Sequence, residues 1–276
     1  MTTWFITGTS RGLGRELTEQ ALARGDRVAA TLRRPEQLDD LAAEYGDRLW
    51  RAPMDVTDSA QIESVLARAF AELGRIDVVV SNAGLGVFGA AEDLTDRQID
   101  NMIATNLTGS IQFARRVVPH LREQGGGVLV QLSSQGGHIA FPRFAIYHAT
   151  KWGVEGYFEA MAQEIAPFGI RTMLVEPGMV PTTFYAAAER VPVSAPYRGG
   201  PADAPPMPVE DMVATQSGTA HAIIVAATSP EPPLRLLLNG DAYEAVTSTL
   251  RQRLADLESQ RDTAYAADAE YPRSNR

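Results

Sequence analysis

The chain has no cysteine, and Lys151 is the one lysine among its 25 basic residues. The first absence excludes disulfides, thiol nucleophiles and cysteine-ligated metals, and no metal centre is expected. No apolar run approaches the ~20 residues of a membrane span, so no membrane partner is expected either. Positive charge is in deficit: the net charge of −9 argues against nucleic acid as a partner. There is no internal repeat and no sign of a second domain in 276 residues, a length that nucleotide-binding α/β domains reach as one unit. Met1-Thr2-Thr3-Trp4 runs straight into a strand, so no signal peptide is expected and the chain reads as soluble and cytoplasmic.

The second absence directs attention to Lys151. Every other cation is Arg, and of the two only an ammonium shifts its pKa readily and passes on a proton. In Tyr147-His148-Ala149-Thr150-Lys151 the phenol and the ammonium stand four residues apart, hence on one face of a helix. A neighbouring cation lowers a phenol's pKa and makes it usable as an acid or base near neutrality. The competing reading is a surface tyrosine resting on a snorkelling lysine stem.

Upstream, Trp4-Phe5-Ile6-Thr7 is a short apolar strand, and Leu13 to Arg24 carries helical spacing. Between them stands Thr7-Gly8-Thr9-Ser10-Arg11-Gly12-Leu13-Gly14, where a dinucleotide's phosphates are held. Gly8 permits the tight turn, Gly12 admits the pyrophosphate, and Gly14 lets helix and strand pack closely. The second strand, Arg27 to Thr31, is followed by Leu32-Arg33-Arg34. An acid at this strand end binds the ribose 2′-hydroxyl of NAD. Here Arg33, with Arg11 in the glycine loop, suits a 2′-phosphate instead, which points to NADP(H). For Arg34, solvation serves equally well.

Val128 to Leu132 is a fifth strand, with Ser133 and Ser134 at its carboxyl end, where open α/β sheets bind ligands. Taken in order, Thr7-Gly8-x-x-x-Gly12-x-Gly14, Asn82-Ala83-Gly84, Ser134 and Tyr147-x-x-x-Lys151 resemble the short-chain dehydrogenase/reductase family over roughly residues 3 to 184. The resemblance implies a doubly wound parallel sheet (a Rossmann fold) in three α/β/α layers. That single domain would span 1–262, followed by a tail at 263–276. It selects Ser134 over Ser133 by spacing and makes Asn106, Ser134, Tyr147 and Lys151 the catalytic set. It places Gly8, Ser10, Arg11, Gly12, Leu13, Gly14 and Arg33 on the cofactor, with Asp55 on the adenine amino group and Val56 on its ring. It puts Asn82, Ala83 and Gly84 under the ribose. Pro177-Gly178-Met179-Val180-Pro181-Thr182 resembles the nicotinamide clamp, through Val180 backbone and Thr182 hydroxyl. Ala30-Thr31-Leu32-Arg33 and Gly136-Gly137 lean toward hydroxysteroid-dehydrogenase-like members.

Elsewhere, Thr95 to Leu121 reads as a long helix disturbed near Asn106-Leu107-Thr108-Gly109, since Gly costs helix propensity. Asp58 or Ser59 is expected to cap the helix before Leu73 better than Asp55. His138 reads as pocket lining, and His148 should point away from Tyr147. The small and aromatic residues of Trp152 to Ile165 suggest a homodimer or homotetramer. The proline-rich stretch about 184–208 reads as a structureless substrate lid, Glu210 to Ala227 as a helix and Leu234 to Leu238 as the last strand. Leu250, Leu254 and Leu257 line one apolar helix face, and residues after Asp262 look frayed. The expected substrate is a small carbonyl compound or alcohol, with Phe88, Phe141, Phe144, Phe184 and Tyr185 suggesting an apolar pocket. Two other readings compete. A catalytically silent NADP-binding regulator would need neither Tyr147 nor Lys151. An extended-branch epimerase would use a G-x-x-G-x-x-G loop and a longer C-terminal domain.

Overall fold

Every residue of the first strand, β1 (Thr3–Thr7), is buried, because strands flank both of its edges and helices cover both faces. An unbroken apolar run is what such a position demands. The computed structural model describes residues 1–205, 208 and 211–269. Further strands are β2 (Arg27–Leu32), β3 (Leu49–Pro53), β4 (Val78–Ser81), β5 (Val87–Phe88), β6 (Gly127–Leu132), β7 (Ile170–Pro177), β8 (Glu189–Arg190) and β9 (Arg235–Leu238). Seven of them form one parallel sheet in the order β3-β2-β1-β4-β6-β7-β9. The order reverses between β1 and β4, which opens a crevice at their carboxyl ends.

Helices α1 (Gly12–Ala23), α2 (Asp39–Tyr45) and α8 (Gln216–Ala227) cover one face of the sheet, around Leu17, Leu41, Val80, Val130 and Ile223. Helices α3 (Ser59–Leu73), α5 (Gly109–Glu123) and α6 (Ala145–Ile165) cover the other, around Phe5, Ile62, Leu66, Phe113 and Phe158. The result is the three-layer doubly wound architecture that the motifs imply. Asp58 caps α3, its carboxylate accepting from Ala60 and Gln61 amides.

Four boundaries differ from the sequence reading. The long helix is α4 (Asp96–Met102), a π-helical segment at Ile103–Thr108, then α5. Gly109 follows the π segment because a methyl there would press on the carbonyl oxygens of Val56 and Ala104. The stretch after residue 183 is not structureless. It carries α7 (Thr183–Ala187) and β8, whose pairing with β5 forms a separate two-stranded sheet. Pro206 and Met207 lie outside the described residues. So does Glu210, and α8 starts only at Gln216, where Thr215 caps it. After α9 (Gly240–Ser259) the chain continues as α10 (Arg261–Ala269) rather than fraying at Asp262; residues 270–276 of the expected tail lie outside the described residues.

Candidate active site

Strands, helices and the loops between them bring the site's residues to the carboxyl ends of β1, β4, β6 and β7. The glycine loop leaves β1 with Gly8 and Gly12 both at positive φ, 72° and 60°, a region where a side chain is strained. The residue before α1, Arg11, gives no side-chain cap, so the first-turn amides stay free for an anion. A methyl at Gly14 would fall under 3.0 Å from Gly8 O and Asn82 Nδ2. Asn82 Nδ2 donates to Thr7 O at 2.8 Å and Gly8 O at 3.1 Å, which ties the turn after β4 to the glycine loop. Thr7 Oγ1 accepts from the amides of Asn82 and Ala83 at 2.9 and 3.0 Å. Sequence reasoning missed Thr7, although it opens the glycine motif.

This cradle fits a dinucleotide: positive-φ glycines, an uncapped helix start and no side chain filling the space at Gly12, whose nearest neighbours to an added methyl are Thr182 and Thr183 at 3.7 Å. Ser10 and Leu13 line the same loop, half-buried. Arg11 and Arg33 are exposed and, among the described residues, in no ion pair. Asp55 Oδ1 accepts from the backbone and hydroxyl of Thr57, and Val56 O borders Gly109. Asp55, Val56 and Arg33 stand at the ends of β3 and β2, away from the group described next.

Tyr147 and Lys151 lie on the first two turns of α6. Lys151 is 8% exposed, its Nζ donates to Leu132 O at 2.9 Å, and it stands 5.6 Å from the centre of the Tyr147 ring. Ser134 follows β6 and its hydroxyl accepts from Gly136 N at 3.1 Å. His148 packs against Gly136, its Nδ1 accepts from Phe141 N at 3.3 Å, and its ring stacks on Phe144. Asn106, 2% exposed, holds Leu85 by both backbone groups at 2.9 Å, next to Gly84. The π segment turns it there. Its own carbonyl accepts from Ser110 Oγ.

Burial decides the protonation states. It pushes the Tyr147 phenol up to about 12, with Ser134 pulling the other way, and Lys151 down to about 8, with Glu155 opposing. Burial rather than the ammonium sets the direction for the phenol, contrary to the sequence expectation, because desolvation disfavours the phenolate. Tyr147 is therefore a proton donor at neutral pH.

The walls are aromatic. Phe88, Phe144 and Phe184 stand 6.4, 6.3 and 5.7 Å from the Tyr147 ring, centre to centre, and Tyr185 packs on Phe184 at 5.4 Å. Phe141 is exposed but touches Phe144 edge-on. Thr182 Oγ1 accepts from Phe184 N, and its own amide donates to Val180 O. Gly178 and Met179 are held by Asn239 and Asp241 at the start of α9, and Pro177 ends β7 beside Leu238.

Ser133 Oγ borders Gly137 on the Glu155 side. One expectation is corrected. His138 meets Glu176 at 3.0 Å and Arg235 at 3.4 Å, as part of a buried charge cluster rather than a pocket wall. The sequence signals for that cluster were Glu155, four residues after Lys151, and Arg235 inside an apolar strand.

The chain matches the family model described as short chain dehydrogenase over residues 2–191. It is 39% identical to the oxidoreductase BOA17 of Botryotinia fuckeliana over 246 residues, 87% of this chain and 90% of that one. A short-chain dehydrogenase from Streptomyces avermitilis superposes with a TM-score of 0.86 at 36% identity, covering 96% of this chain and 97% of the other. The closed form of a serine dehydrogenase complexed with NADP+ gives 0.75 at 28%, covering 86% and 94%.

Proposed function

Because the chain belongs to the short-chain dehydrogenase family, we propose that it is an NADP(H)-dependent oxidoreductase that interconverts a carbonyl and a secondary alcohol on an apolar substrate. The observation that carries the reading is the convergence of Tyr147, Ser134 and Lys151 at one aromatic-walled spot beside a cradle built for a dinucleotide.

The nicotinamide, when bound, supplies the hydride. Tyr147, protonated at neutral pH, donates its proton to the substrate oxygen in reduction and takes it back in oxidation. Ser134 donates a hydrogen bond to that oxygen as alkoxide character develops. Lys151 spends one N–H on Leu132 O and keeps two for the nicotinamide ribose and for a water that Asn106 anchors, so a proton reaches Tyr147 from solvent. Gly8, Ser10, Arg11, Gly12, Leu13 and Gly14 hold the phosphates, and Arg11 and Arg33 the 2′-phosphate. Asp55 and Val56 meet the adenine; Asn82, Ala83 and Gly84 support the ribose. Pro177, Gly178, Val180 and Thr182 clamp the carboxamide. Phe184 and Tyr185 begin a lid, about 184–208, that excludes water. A cytoplasmic homodimer or homotetramer completes the reading.

Solved structures similar to this chain hold NADP+ in one case and NADH in another, so the cofactor rests on Arg33 and Arg11. The test is turnover of a panel of steroid, aromatic and short aliphatic ketones with each cofactor. NADPH should be preferred, Arg33→Asp should flatten or reverse the preference, and Tyr147→Phe should lose at least ~100-fold in kcat. Equal use of both cofactors by the unmodified protein would refute the NADP(H) assignment. Tight NADPH binding without turnover of any ketone would favour the silent regulator.

A further inference from the structure

Behind Lys151 lies a charge cluster that the proposed chemistry does not use. Glu155 is one helical turn further along α6 and 6% exposed. Its Oε2 is paired with Arg235 Nη1. The same guanidinium reaches Glu176 Oε1 on β7 at 2.7 Å and, through Nη2, Glu159 Oε2 at 2.8 Å. Glu176 Oε2 meets His138 Nε2 at 3.0 Å. His138, Glu155 and Glu176 each place a ligand atom within 4.8 Å of the others, but Arg235 already lies against all three. The cation of this cluster is the chain's own.

Burying two carboxylates, Glu155 and Glu176, on one guanidinium is a poor way to gain stability, since desolvation consumes most of the attraction. Arg235 also stands on β9, beyond the residues 2–191 that match the family model. Glu155 Oε1 is buried beside Gly137 and the Ser133 hydroxyl, which favours its ionised form. Positions four apart share a helix face, which sets the carboxylate on the same side of α6 as Lys151.

We propose that Glu155, held as a carboxylate by Arg235, is a positioning residue that keeps Lys151 in its ammonium form inside the buried site. The inference rests on the reading of Lys151 given under the proposed function. Burial alone drives an ammonium toward neutrality, and a neutral Lys151 would bind the ribose weakly and stabilise no phenolate. The charged and titratable groups around this turn are Tyr147 and Glu155 on α6, Glu176 from β7, Arg235 from β9 and His138 from the loop after β6. The π segment, Ile103–Thr108, contributes none. Among the described residues Glu155 is the anion whose field opposes Lys151's loss of charge; burial pushes Glu155 itself up and Glu176 adds to the rise, while the Ser133 hydroxyl and Arg235 oppose it and favour the carboxylate.

The lone lysine makes the test direct. Protein grown with 13Cε-lysine gives a single lysine resonance, that of Lys151, whose chemical shift against pH reads its ionisation. Glu155→Gln should move the midpoint down by about one pH unit or more, and Glu159→Gln, at the exposed end of the cluster, should leave it in place. If Glu155→Gln does not fold, Glu155→Met, which leaves no polar atom to satisfy, takes its place. The alkaline limb of kcat for ketone reduction should move down by the same amount, a change that loss of packing alone would not give. A Lys151 midpoint equal in wild type and the Glu155 variant overturns the inference whatever the turnover shows. A shifted midpoint in a protein that reduces no ketone supports the inference and removes the reading of the reaction instead.

Discussion

Adding one methyl at Gly14 and at Gly156 should move stability in opposite directions. Both are helical, so Ala gains about 1 kcal/mol over Gly in backbone entropy at either site. At Gly156, on the exposed face of α6, an added Cβ meets nothing within 4 Å. That gain should appear almost whole. At Gly14 the methyl would fall under 3.0 Å from Gly8 O and Asn82 Nδ2. One is backbone and the other a side chain pinned by two hydrogen bonds, so neither can swing aside freely. Overpacking of this kind costs about 3 kcal/mol at its upper end, and loosening two hydrogen bonds costs about 1 kcal/mol each. After the helix gain, Gly14→Ala is left about 4 kcal/mol less stable. Unfolding entropy scales to about 0.6 kcal/mol per degree for a chain of 276 residues, so Tm should fall by about 7 °C. Gly156→Ala should rise by about 1–2 °C. Differential scanning calorimetry without cofactor reads both. A Gly14→Ala protein melting within 2 °C of wild type would refute the account of how β1, α1 and Asn82 are locked together.

Two further outcomes concern other parts of the molecule. Burial pushes His148 down to about 4 from an ordinary value of 6.5, so the unfolded chain binds a proton that the folded one resists, and stability should fall as pH drops from 6.5 toward 4. His148→Asn should flatten that acid limb of Tm against pH, and an unchanged limb would place the acid sensitivity elsewhere. For assembly, Trp152 is 45% exposed on α6, and Leu250, Leu254 and Leu257 on α9 are 45%, 57% and 66% exposed. Light scattering at micromolar concentration should give a dimer or tetramer, and a particle near 29.9 kDa would refute it.

The parts of the site that were legible in the sequence are those whose chemistry is written in contiguous residues. A glycine loop between a strand and a helix, an Asn-Ala-Gly turn and a Tyr-x-x-x-Lys pair each carry their geometry with them, because turn conformation and helix periodicity are local. The doubly wound parallel sheet followed for the same reason, since alternating strands and helices leave few arrangements. What was not legible depends on residues that meet only after folding. Thr7 is one hydroxyl in a strand until the turn at Asn82 arrives 75 residues later to donate two amides to it. The π segment shows in sequence only as a disturbance, and the close approach of Gly109 to Val56 beside it is made across the fold. The stretch after residue 183 looked structureless because its order comes from Phe184 packing on Tyr147 and from two residues of β8 pairing with β5, neither of which has a local signature.

The same distinction explains why the sign of one electrostatic expectation was wrong. Reading Tyr147 and Lys151 as neighbours on a helix captures their mutual attraction and leaves out the medium. The sequence does not state that α6 is pressed against β6 and β7 so closely that Lys151 Nζ donates to the carbonyl of Leu132. Once it is, desolvation acts on both groups, raising the phenol and lowering the ammonium, so the phenol stays protonated at neutral pH and the ammonium loses part of its margin. A buried lysine that must remain charged then needs a compensating anion, and a buried anion needs a cation of its own. Glu155 and Arg235 stand in that order behind Lys151. The active-site helix and the edge strand β9 are thereby joined by charge as well as by packing, which ties the protonation of Lys151 to a strand outside the stretch that carries the family's motifs.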